Sequence, residues 1–369
     1  MREIDEKVDR ISRWLTAEKL DGVLIGAQHN FAWATAGGRN GIDQSRDPGA
    51  GTLLIGRDGR RWVLANHIEM ARLQTEELAG KRFEAIEFPW AEERADALLA
   101  VGKARGLCGP ALASDLGLGE TRPAEAGLTR LRYGLTPEEV ARLKHVGSDA
   151  GEVLGQVCRN LKPGVRENEV VRQVTDAMLE RDLWPVVLLV AADDRIASYR
   201  HPVPKQQVAR RAVLVASCVR RGGLIVSLSR IVHFGPVPDM LSTRTRLTAA
   251  VNADVWASTR PGATGRELYE VCRDSYARAG YPGEELKHHQ GGAIGYRTRE
   301  WVAHPASQEV VHASQAFAWN PTITGTKMEE TVVAFDDRIE LVTHTPGWPA
   351  IEVRAGGVTH SLPDVLALN

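Results

Sequence analysis

The sequence predicts an α/β protein built from two domains. Its 369 residues exceed the usual size of a single hydrophobic core. A helix followed by buried strands opens the chain, and a long helix restarts the pattern after a turn-rich stretch at 106–127. The content of 43% hydrophobic and 25% charged residues is typical of globular proteins.

The first domain is predicted from the spacing of its apolar residues. They recur at helical spacing from Ile4 to Leu15, whereas the segments that follow are short apolar runs bounded by turn residues. The turn at Arg57–Arg60 joins two such runs as a hairpin. Helices are predicted at 4–19, near 68–79 and near 91–104, and strands at 21–26, 51–56 and 62–65.

The second domain begins with a helix signal at Thr136. Thr136 can cap the helix, Pro137 suits its first position, and Glu139 completes a Thr-x-x-Glu capping box. Because the turn-rich stretch lies just before it, we place the boundary near residue 130. The domains are therefore expected at 1–130 and 131–369.

A weak internal repeat occupies the second domain. Residues 161–169 contain Lys-Pro-Gly and residues 259–268 contain Arg-Pro-Gly, and a helix pattern follows each. Such self-similarity predicts two related α/β halves. A pocket between two such halves is a natural place for a ligand.

The charge balance limits the class of partner. The net charge of −1 and the interspersed signs predict neither a nucleic acid nor an anionic membrane as partner. We therefore expect a small-molecule or peptide ligand. The charged N-terminal segment lacks an apolar signal core, which favours a cytoplasmic protein.

No pattern for a common cofactor is found. Gly291–Gly295 lacks the strand-turn-helix context of a dinucleotide site, and no Walker loop or serine elbow is present. We predict neither ATP nor NAD, and no other cofactor. The cysteines have no metal-ligand spacing and are expected in the core rather than in disulfides, with Cys218 closest to the chemistry; they are Cys108, Cys158, Cys218 and Cys272.

The most informative segment is Lys-His-His-Gln-Gly-Gly-Ala-Ile-Gly-Tyr at 287–296, followed by Arg-Glu-Trp at 299–301. It resembles the His-x-x-Gly-His-Gly-Ile-Gly and His-Glu motifs of the M24 "pita-bread" family of aminopeptidases, prolidases and creatinases. The segment 30–35 is similar to the creatinase/prolidase N-terminal domain. The resemblance implies that domain followed by a pseudo-symmetric pita-bread domain, and it implies a homodimer.

The same resemblance places the family's metal ligands on residues that do not bind metal well. Only one of the five positions keeps a carboxylate, and one carboxylate cannot hold two divalent cations. We therefore predict no metal, although a single ion held by His288, Glu300 and Glu329 stays open. The five positions are Ala216, Ser227, Gly292, Asn320 and Glu329.

Three residues are the catalytic candidates. His201 matches the histidine that serves as acid/base in the metal-free creatinases, and imidazole titrates near neutrality. Glu300 and Glu329 match family glutamates and could position a cationic group or activate water. The competing interpretation is a loop histidine without a role and a pair of carboxylates in structural ion pairs.

A second group is predicted to bind substrate. Strand alternation suggests that only one of His288 and His289 faces the pocket, and we choose His288. Trp301 and Trp319 are expected to flank the pocket, and Arg39 is either a carboxylate clamp or a solvated arginine. The predicted substrate-binding residues are His288, Arg299, Tyr296, Arg230, Ser229, Trp301 and Arg39.

These residues favour a metal-independent, creatinase-like enzyme that cleaves, by hydrolysis, a C–N bond of a small amidine, urea, amide or amino-acid derivative. Creatine itself is disfavoured because Ser229 replaces an acidic residue that creatinases carry. A lyase or isomerase using the same pocket, a non-catalytic binding protein and a metal-dependent Xaa-Pro aminopeptidase or prolidase remain alternatives.

Overall fold

The computed structural model describes residues 2–369, which divide into two compact units. The first unit ends at Arg132 and the second comprises Tyr133–Asn369. Within residues 2–369, every helix is too short or too polar to cross a membrane.

The first unit contains a six-stranded mixed sheet in the order β4-β3-β2-β1-β5-β6. The predicted hairpin is confirmed, because β2 and β3 pair antiparallel around the turn at Arg57–Arg60. The strands are β1 (Gly22–Ala27), β2 (Pro48–Gly56), β3 (Arg61–Asn66), β4 (Glu84–Phe88), β5 (Leu112–Ser114) and β6 (Arg122–Pro123).

Helices accompany this sheet. The predicted first helix is present, and its apolar stripe is buried at Ile11 and Leu15. The prediction of a single helix near 91–104 is wrong. The helix ends at Ala95, and the Asp96 carboxylate then accepts a hydrogen bond from Leu98 N. The helices are α1 (Arg2–Ala17), α2 (Gln28–Ala34), α3 (Met70–Arg72, continued by a π-turn at Leu73–Glu77), α4 (Trp90–Ala95), α5 (Leu99–Cys108) and α6 (Glu125–Arg132).

The second unit opens with the predicted long helix. Thr136 Oγ1 accepts a hydrogen bond from Glu139 N at 3.2 Å, and the Glu139 carboxylate accepts one from Thr136 N at 2.8 Å. The capping box is therefore confirmed. The helices of this unit are α7 (Pro137–Arg159), α8 (Glu167–Leu179), α9 (Arg195–Ser198), α10 (Asp239–Ser258) and α11 (Gly265–Arg278), with a 3-10 turn at Glu284–Leu286.

Three sheets complete the second unit. Their strand orders are β17-β9-β8-β7, β11-β10-β12-β13-β14 and β15-β16. The strands are β7 (Trp184–Ala192), β8 (Ala212–Arg221), β9 (Leu224–Phe234), β10 (Gly291–Ile294), β11 (Trp301–Val302), β12 (Gln315–Trp319), β13 (Glu330–Ala334), β14 (Ile339–Leu341), β15 (Ala350–Ala355), β16 (Val358–Pro363) and β17 (Leu366–Leu368).

The sequence repeat is a structural repeat. Gly164 N donates to Ala209 O in the first copy, and Gly262 N donates to Val311 O in the second. In each copy a glutamate in the first turn of the helix accepts a hydrogen bond from the backbone N just before the helix: Glu169 from Arg166 N at 2.8 Å in α8, and Glu267 from Thr264 N at 2.7 Å in α11. Each helix then leads to an antiparallel hairpin, β8–β9 or β12–β13. The second unit is thus built from two related halves, as predicted.

The core of the second unit contains the tryptophans that were expected beside a pocket. Trp319 is fully buried and stacks on Phe317 with ring centroids 5.8 Å apart. Trp301 packs edge-on against the same phenylalanine at 5.5 Å. Both indoles belong to the hydrophobic core of the second unit, and their place beside a pocket stays a prediction.

Candidate functional site

Three histidines meet in the second unit. The Nε2 atoms of His201 and His288 are 3.0 Å apart. His289 stacks on His288 with ring centroids 4.4 Å apart and lies 6.0 Å from the ring of His201. One ligand nitrogen from each ring falls within a span of 4.8 Å. We refer to His201, His288 and His289 as the histidine cluster.

The prediction that only one of the two adjacent histidines faces the pocket is wrong. It assumed that His288 and His289 lie in a strand, where side chains alternate. Strand β10 begins only at Gly291, and the two histidines precede it in a bend. Both rings can therefore turn toward His201.

An ion-pair network holds the two segments of the cluster together. Arg200 Nη2 donates to Glu284 Oε2 and to Thr324 Oγ1, both at 2.7 Å. Glu284 also pairs with Lys287 at 2.9 Å. Because Arg200 precedes His201 and Lys287 precedes His288, the network fixes both backbones beside the imidazole pair.

Glu329 lies next to the histidine cluster between two cations. Arg299 Nη2 contacts its Oε1 at 3.0 Å, and Lys327 Nζ lies 3.4 Å from its Oε2. Lys327 and Glu329 keep only 4% and 7% of their side-chain surface exposed. The carboxylate is thus buried and charge-paired on both sides.

Two hydrogen bonds with Ser229 of β9 explain how Glu329 is positioned. Ser229 N donates to Glu329 O at 2.9 Å, and Glu329 N donates to Ser229 Oγ at 2.8 Å. Ser229 therefore contacts the backbone of a site residue. Its contact with a substrate stays a prediction.

The charged groups shift one another's pKa values. Although burial opposes it, Lys327 and Arg299 lower the pKa of Glu329 to about 2. Burial, followed by Lys327, lowers the pKa of His288 to about 2, and burial with Arg299 lowers that of His289 to about 4. The pKa of His201 is lowered by burial and by Lys327. At neutral pH the site therefore contains three neutral imidazoles and one carboxylate anion.

Glu300 occupies a different environment from Glu329. Its Oε1 accepts hydrogen bonds from Tyr296 N at 3.0 Å and from Arg297 N at 3.3 Å. The carboxylate thus closes the turn between β10 and β11. Its catalytic role stays a prediction, and Glu329 is the carboxylate that the structure brings to the histidine cluster.

Two predicted substrate-binding residues are engaged by the protein itself. The Tyr296 hydroxyl is buried and donates to Glu139 Oε1 at 2.6 Å. Arg230 is buried with five hydrogen-bond contacts to protein acceptors, which leaves its guanidinium no free donor. Both predictions therefore need correction. The acceptors around Arg230 are Ser229 O, Glu330 Oε1, Thr343 O and Thr345 Oγ1, the last accepting from two of its nitrogens.

Arg39 belongs to the first unit. Its side chain is exposed, and its backbone N donates to Glu77 Oε2 at 2.7 Å. Its proposed clamp on a carboxylate stays a prediction.

The positions of the five family metal ligands do not form a dinuclear metal site. The side chains of Ala216 and Ser227 lie on one face of the β8–β9 ladder, and neither is a carboxylate. Asn320 is buried and its Oδ1 has no hydrogen-bond partner within residues 2–369. Two bridged cations need several anionic ligands, and Glu329 is the one that these positions provide.

Gly292 stands where the family motif has a histidine, and the neighbouring backbone lies too close to Gly292 to leave room for a side chain. A Cβ atom at this position would lie 2.2 Å from Trp301 O and 2.8 Å from the Cα of Val302. Strand β11 pairs directly against this residue. A histidine therefore cannot be accommodated there without moving β11.

Cys218 also lies near Glu329 but is not a nucleophile at neutral pH. Burial, followed by the charge of Glu329, raises the pKa of its thiol to about 11. Ser227 Oγ donates to its sulfur at 3.0 Å. The thiol stays protonated, as expected for a core cysteine.

Lys327 was missed in the sequence, and His289 was set aside in favour of His288. A usable signal existed for Lys327, because residues two apart in an extended segment place their side chains on one face. Lys327 and Glu329 stand in this relation just before β13. His289 was set aside because the two histidines were assumed to lie in a strand, whereas β10 begins only at Gly291.

The fold and this site define a class: a two-unit protein whose second unit has the duplicated pita-bread architecture. The model of metallopeptidase family M24 matches residues 141–344, more than half of the chain. The chain therefore belongs to metallopeptidase family M24.

The similar proteins include Xaa-Pro dipeptidases. The sequence is 24% identical over 236 residues to an Xaa-Pro dipeptidase of Lactobacillus helveticus, a match that covers 61% of this chain and 64% of that protein. The chain thus spans slightly less than two thirds of the length of that relative. The Xaa-Pro dipeptidase from Bacillus anthracis has the same fold, with a TM-score of 0.75 at 17% identity, covering 99% of this chain and 100% of that one.

A third similar fold comes from a different kind of protein. The N-terminal domain of the FACT complex subunit SPT16 from Cicer arietinum superposes with a TM-score of 0.69 at 11% identity, covering 94% of this chain and 97% of that chain. The architecture alone therefore does not identify an activity.

Proposed function

We propose that this M24 protein is a hydrolase that cleaves a C–N bond of a small amide, amidine, urea or amino-acid derivative without the two metals of the family. The observation that carries the proposal is the His201–His288 pair at 3.0 Å beside the buried Glu329. Neutral imidazoles can accept and return a proton near neutral pH.

His201 is the proposed acid/base. If its Nε2–H donates to His288 Nε2, its Nδ1 keeps a lone pair. His201 is exposed, so this nitrogen can meet a water molecule, whereas His288 is 9% exposed. His288 then orients the ring rather than reacting itself.

The proposed step balances with one water molecule. Water oxygen forms a bond to the carbonyl or amidine carbon while His201 takes one of its protons. The C–N bond then breaks, and the imidazolium returns that proton to the leaving nitrogen. The second proton of the water stays with the acyl product.

Glu329 has a supporting role in this proposal. Its lowered pKa, caused by Lys327 and Arg299, keeps it ionised, so it does not act as a general acid. A carboxylate fixed at both oxygens can hold the cations in place and favour the transient imidazolium on His201.

A metal-dependent Xaa-Pro dipeptidase is the second candidate. The dipeptidase relative and the dipeptidase fold match favour it. The replacement of four carboxylate or histidine ligands and the closed backbone at Gly292 argue against it. A non-catalytic binding protein is the third candidate, and the loss of the ligand set is the observation in its favour.

One experiment separates the three. The purified protein is incubated with Mn, Co, Fe and Zn, desalted and analysed for bound metal, and the same samples are assayed for amine or ammonia release from Xaa-Pro dipeptides and small amides, amidines and ureas. We expect less than one metal per chain and amine release that His201→Ala reduces at least 100-fold. His67→Gln, at an exposed histidine of the first unit, is the control.

Other outcomes point to the other candidates. Two metals per chain with Xaa-Pro cleavage would establish the dipeptidase and overturn the proposal. No turnover of any substrate, with correct folding, would favour the binding protein.

A further inference from the structure

We propose that Lys327 and Arg299 form a carboxylate-binding site next to the histidine cluster, and that the substrate of the proposed reaction carries a carboxylate. The choice of substrate class rests on the proposed function, whereas the binding site itself does not.

The first argument is the charge of the site. Lys327 and Arg299 contribute two positive charges, and Glu329 contributes one negative charge between them. The neutral histidine cluster adds none. The site therefore has one excess positive charge on side chains that are mostly buried, with 4% of Lys327, 7% of Glu329 and 17% of Arg299 exposed, and a charge there is less screened than at the surface.

The second argument is the number of unused donors. Within residues 2–369, Lys327 Nζ makes its one ion pair with Glu329 and has no further hydrogen-bond partner. Arg299 Nε and His288 Nδ1 are buried and also lack a partner. Buried donors without acceptors are rare, and an oxyanion would satisfy several of them together.

The third argument concerns a competing ligand. Three histidine nitrogens within 4.8 Å could ligate one transition-metal ion. However, Lys327 opposes positive charge on His201 and on His288. The same positive potential opposes a divalent cation at these rings and attracts an anion.

The single excess charge favours a monoanion over a phosphate dianion. A carboxylate can accept from the lysine ammonium with one oxygen and from the Arg299 Nε–H with the other. An adjacent amide of the same small molecule would then be available to the exposed His201. This gives the substrate class as short N-acyl or N-carbamoyl amino acids.

The test is equilibrium binding to the full chain at pH 7.5, with N-acetylglycine and its uncharged counterpart N-acetylglycinamide as probes in titration calorimetry. We expect N-acetylglycine to bind at least tenfold more tightly than the amide, and its affinity to fall with added salt. Sulfate and phosphate are titrated in parallel and are expected to bind more weakly than the carboxylate.

Variants test which groups are responsible. Lys327→Met should weaken N-acetylglycine binding at least tenfold, while Lys327→Arg should stay within threefold of the unmodified protein. Lys162→Met removes the same charge from an exposed position in the same unit and should change nothing. Thermal unfolding of each variant verifies that it is folded.

Two results would overturn the inference. One is equal affinity of the protein for N-acetylglycine and for N-acetylglycinamide, or equal affinity of the unmodified protein and a folded Lys327→Met for N-acetylglycine. The other is tight Zn²⁺ binding that His289→Ala abolishes, which would assign the cluster to a cation. Failure of the proposed function looks different: carboxylate binding without turnover would refute hydrolysis and leave the anion site intact.

Discussion

His201 and His288 place their Nε2 atoms 3.0 Å apart although 87 residues separate them in the sequence. At this distance one ring must donate and the other accept, so both rings cannot be protonated at once. The pair therefore behaves as one unit for proton transfer and for stability against pH.

The stability of the protein should fall as the pH drops below 6.5. Because burial lowers the pKa of His288 from its usual 6.5 to about 2, the unfolded state binds more protons than the folded state in this range. At pH 5 His288 alone lowers the free energy of unfolding by about 2 kcal/mol. Urea unfolding at pH 5 and pH 7 measures this free energy. His288→Gln should make it depend less on pH. If the pH dependence of stability were unchanged in His288→Gln, or reduced in the His67→Gln control, His288 would not be its source.

Replacing Gly292 should destabilise the protein severely. In Gly292→Ala the new Cβ would lie 2.2 Å from Trp301 O, so β11 must move, at a cost of about 3 kcal/mol. Gly102→Ala is the matched control, because nothing lies within 4 Å of its Cβ position in α5; it should be neutral or stabilise by up to about 1 kcal/mol. Denaturant midpoints give both values. A Gly292→His variant that folds normally and binds metal would show that this backbone is not closed.

Arg230 should behave as a structural residue. Arg230→Met leaves Glu330 buried without its cation, and we expect a loss of about 3–5 kcal/mol. The double variant Arg230→Met/Glu330→Leu removes both charges and should be less destabilised than the single variant. Thermal unfolding of the three proteins decides this. A single variant of normal stability with weakened ligand binding would restore the substrate-binding role that the sequence suggested.

Arg200 should act as a positioning residue. Arg200→Met removes the two 2.7 Å hydrogen bonds that the Arg200 side chain, next to His201 in the chain, donates to Glu284 and Thr324. We expect a tenfold or larger fall in kcat with little change in KM, because the binding cations are untouched. Imidazole NMR signals provide an independent readout: His201 and His288 should shift together and titrate nearer pH 6.5. Arg200→Lys should recover part of the activity, and Arg172→Met, at an exposed arginine of α8, should change neither signal.

Parts of the molecule were predictable because they depend on neighbours in sequence. The capping box of Thr136 and the hairpin around Arg57–Arg60 depend on residues close in sequence. The repeat could be predicted because the same Pro-Gly pattern occurs in both copies. His201 was predictable through a motif and not through packing. The roles of Trp301 and Arg230 depend on groups distant in sequence, such as Phe317 and Glu330, and no spacing rule reveals those contacts.

Glu329→Gln should have opposite effects on binding and on turnover. The change removes the negative charge between Lys327 and Arg299 but keeps the shape, so the excess charge of the site rises from one to two. A carboxylate should then bind at least threefold more tightly. Turnover should fall at least tenfold, because the anion that favours an imidazolium on His201 is lost. Calorimetry and amine release on the same preparation measure both quantities, with the exposed Glu352→Gln as control. Weaker carboxylate binding in Glu329→Gln would mean that Glu329 contacts the ligand directly, and the charge argument for the anion site would then fail.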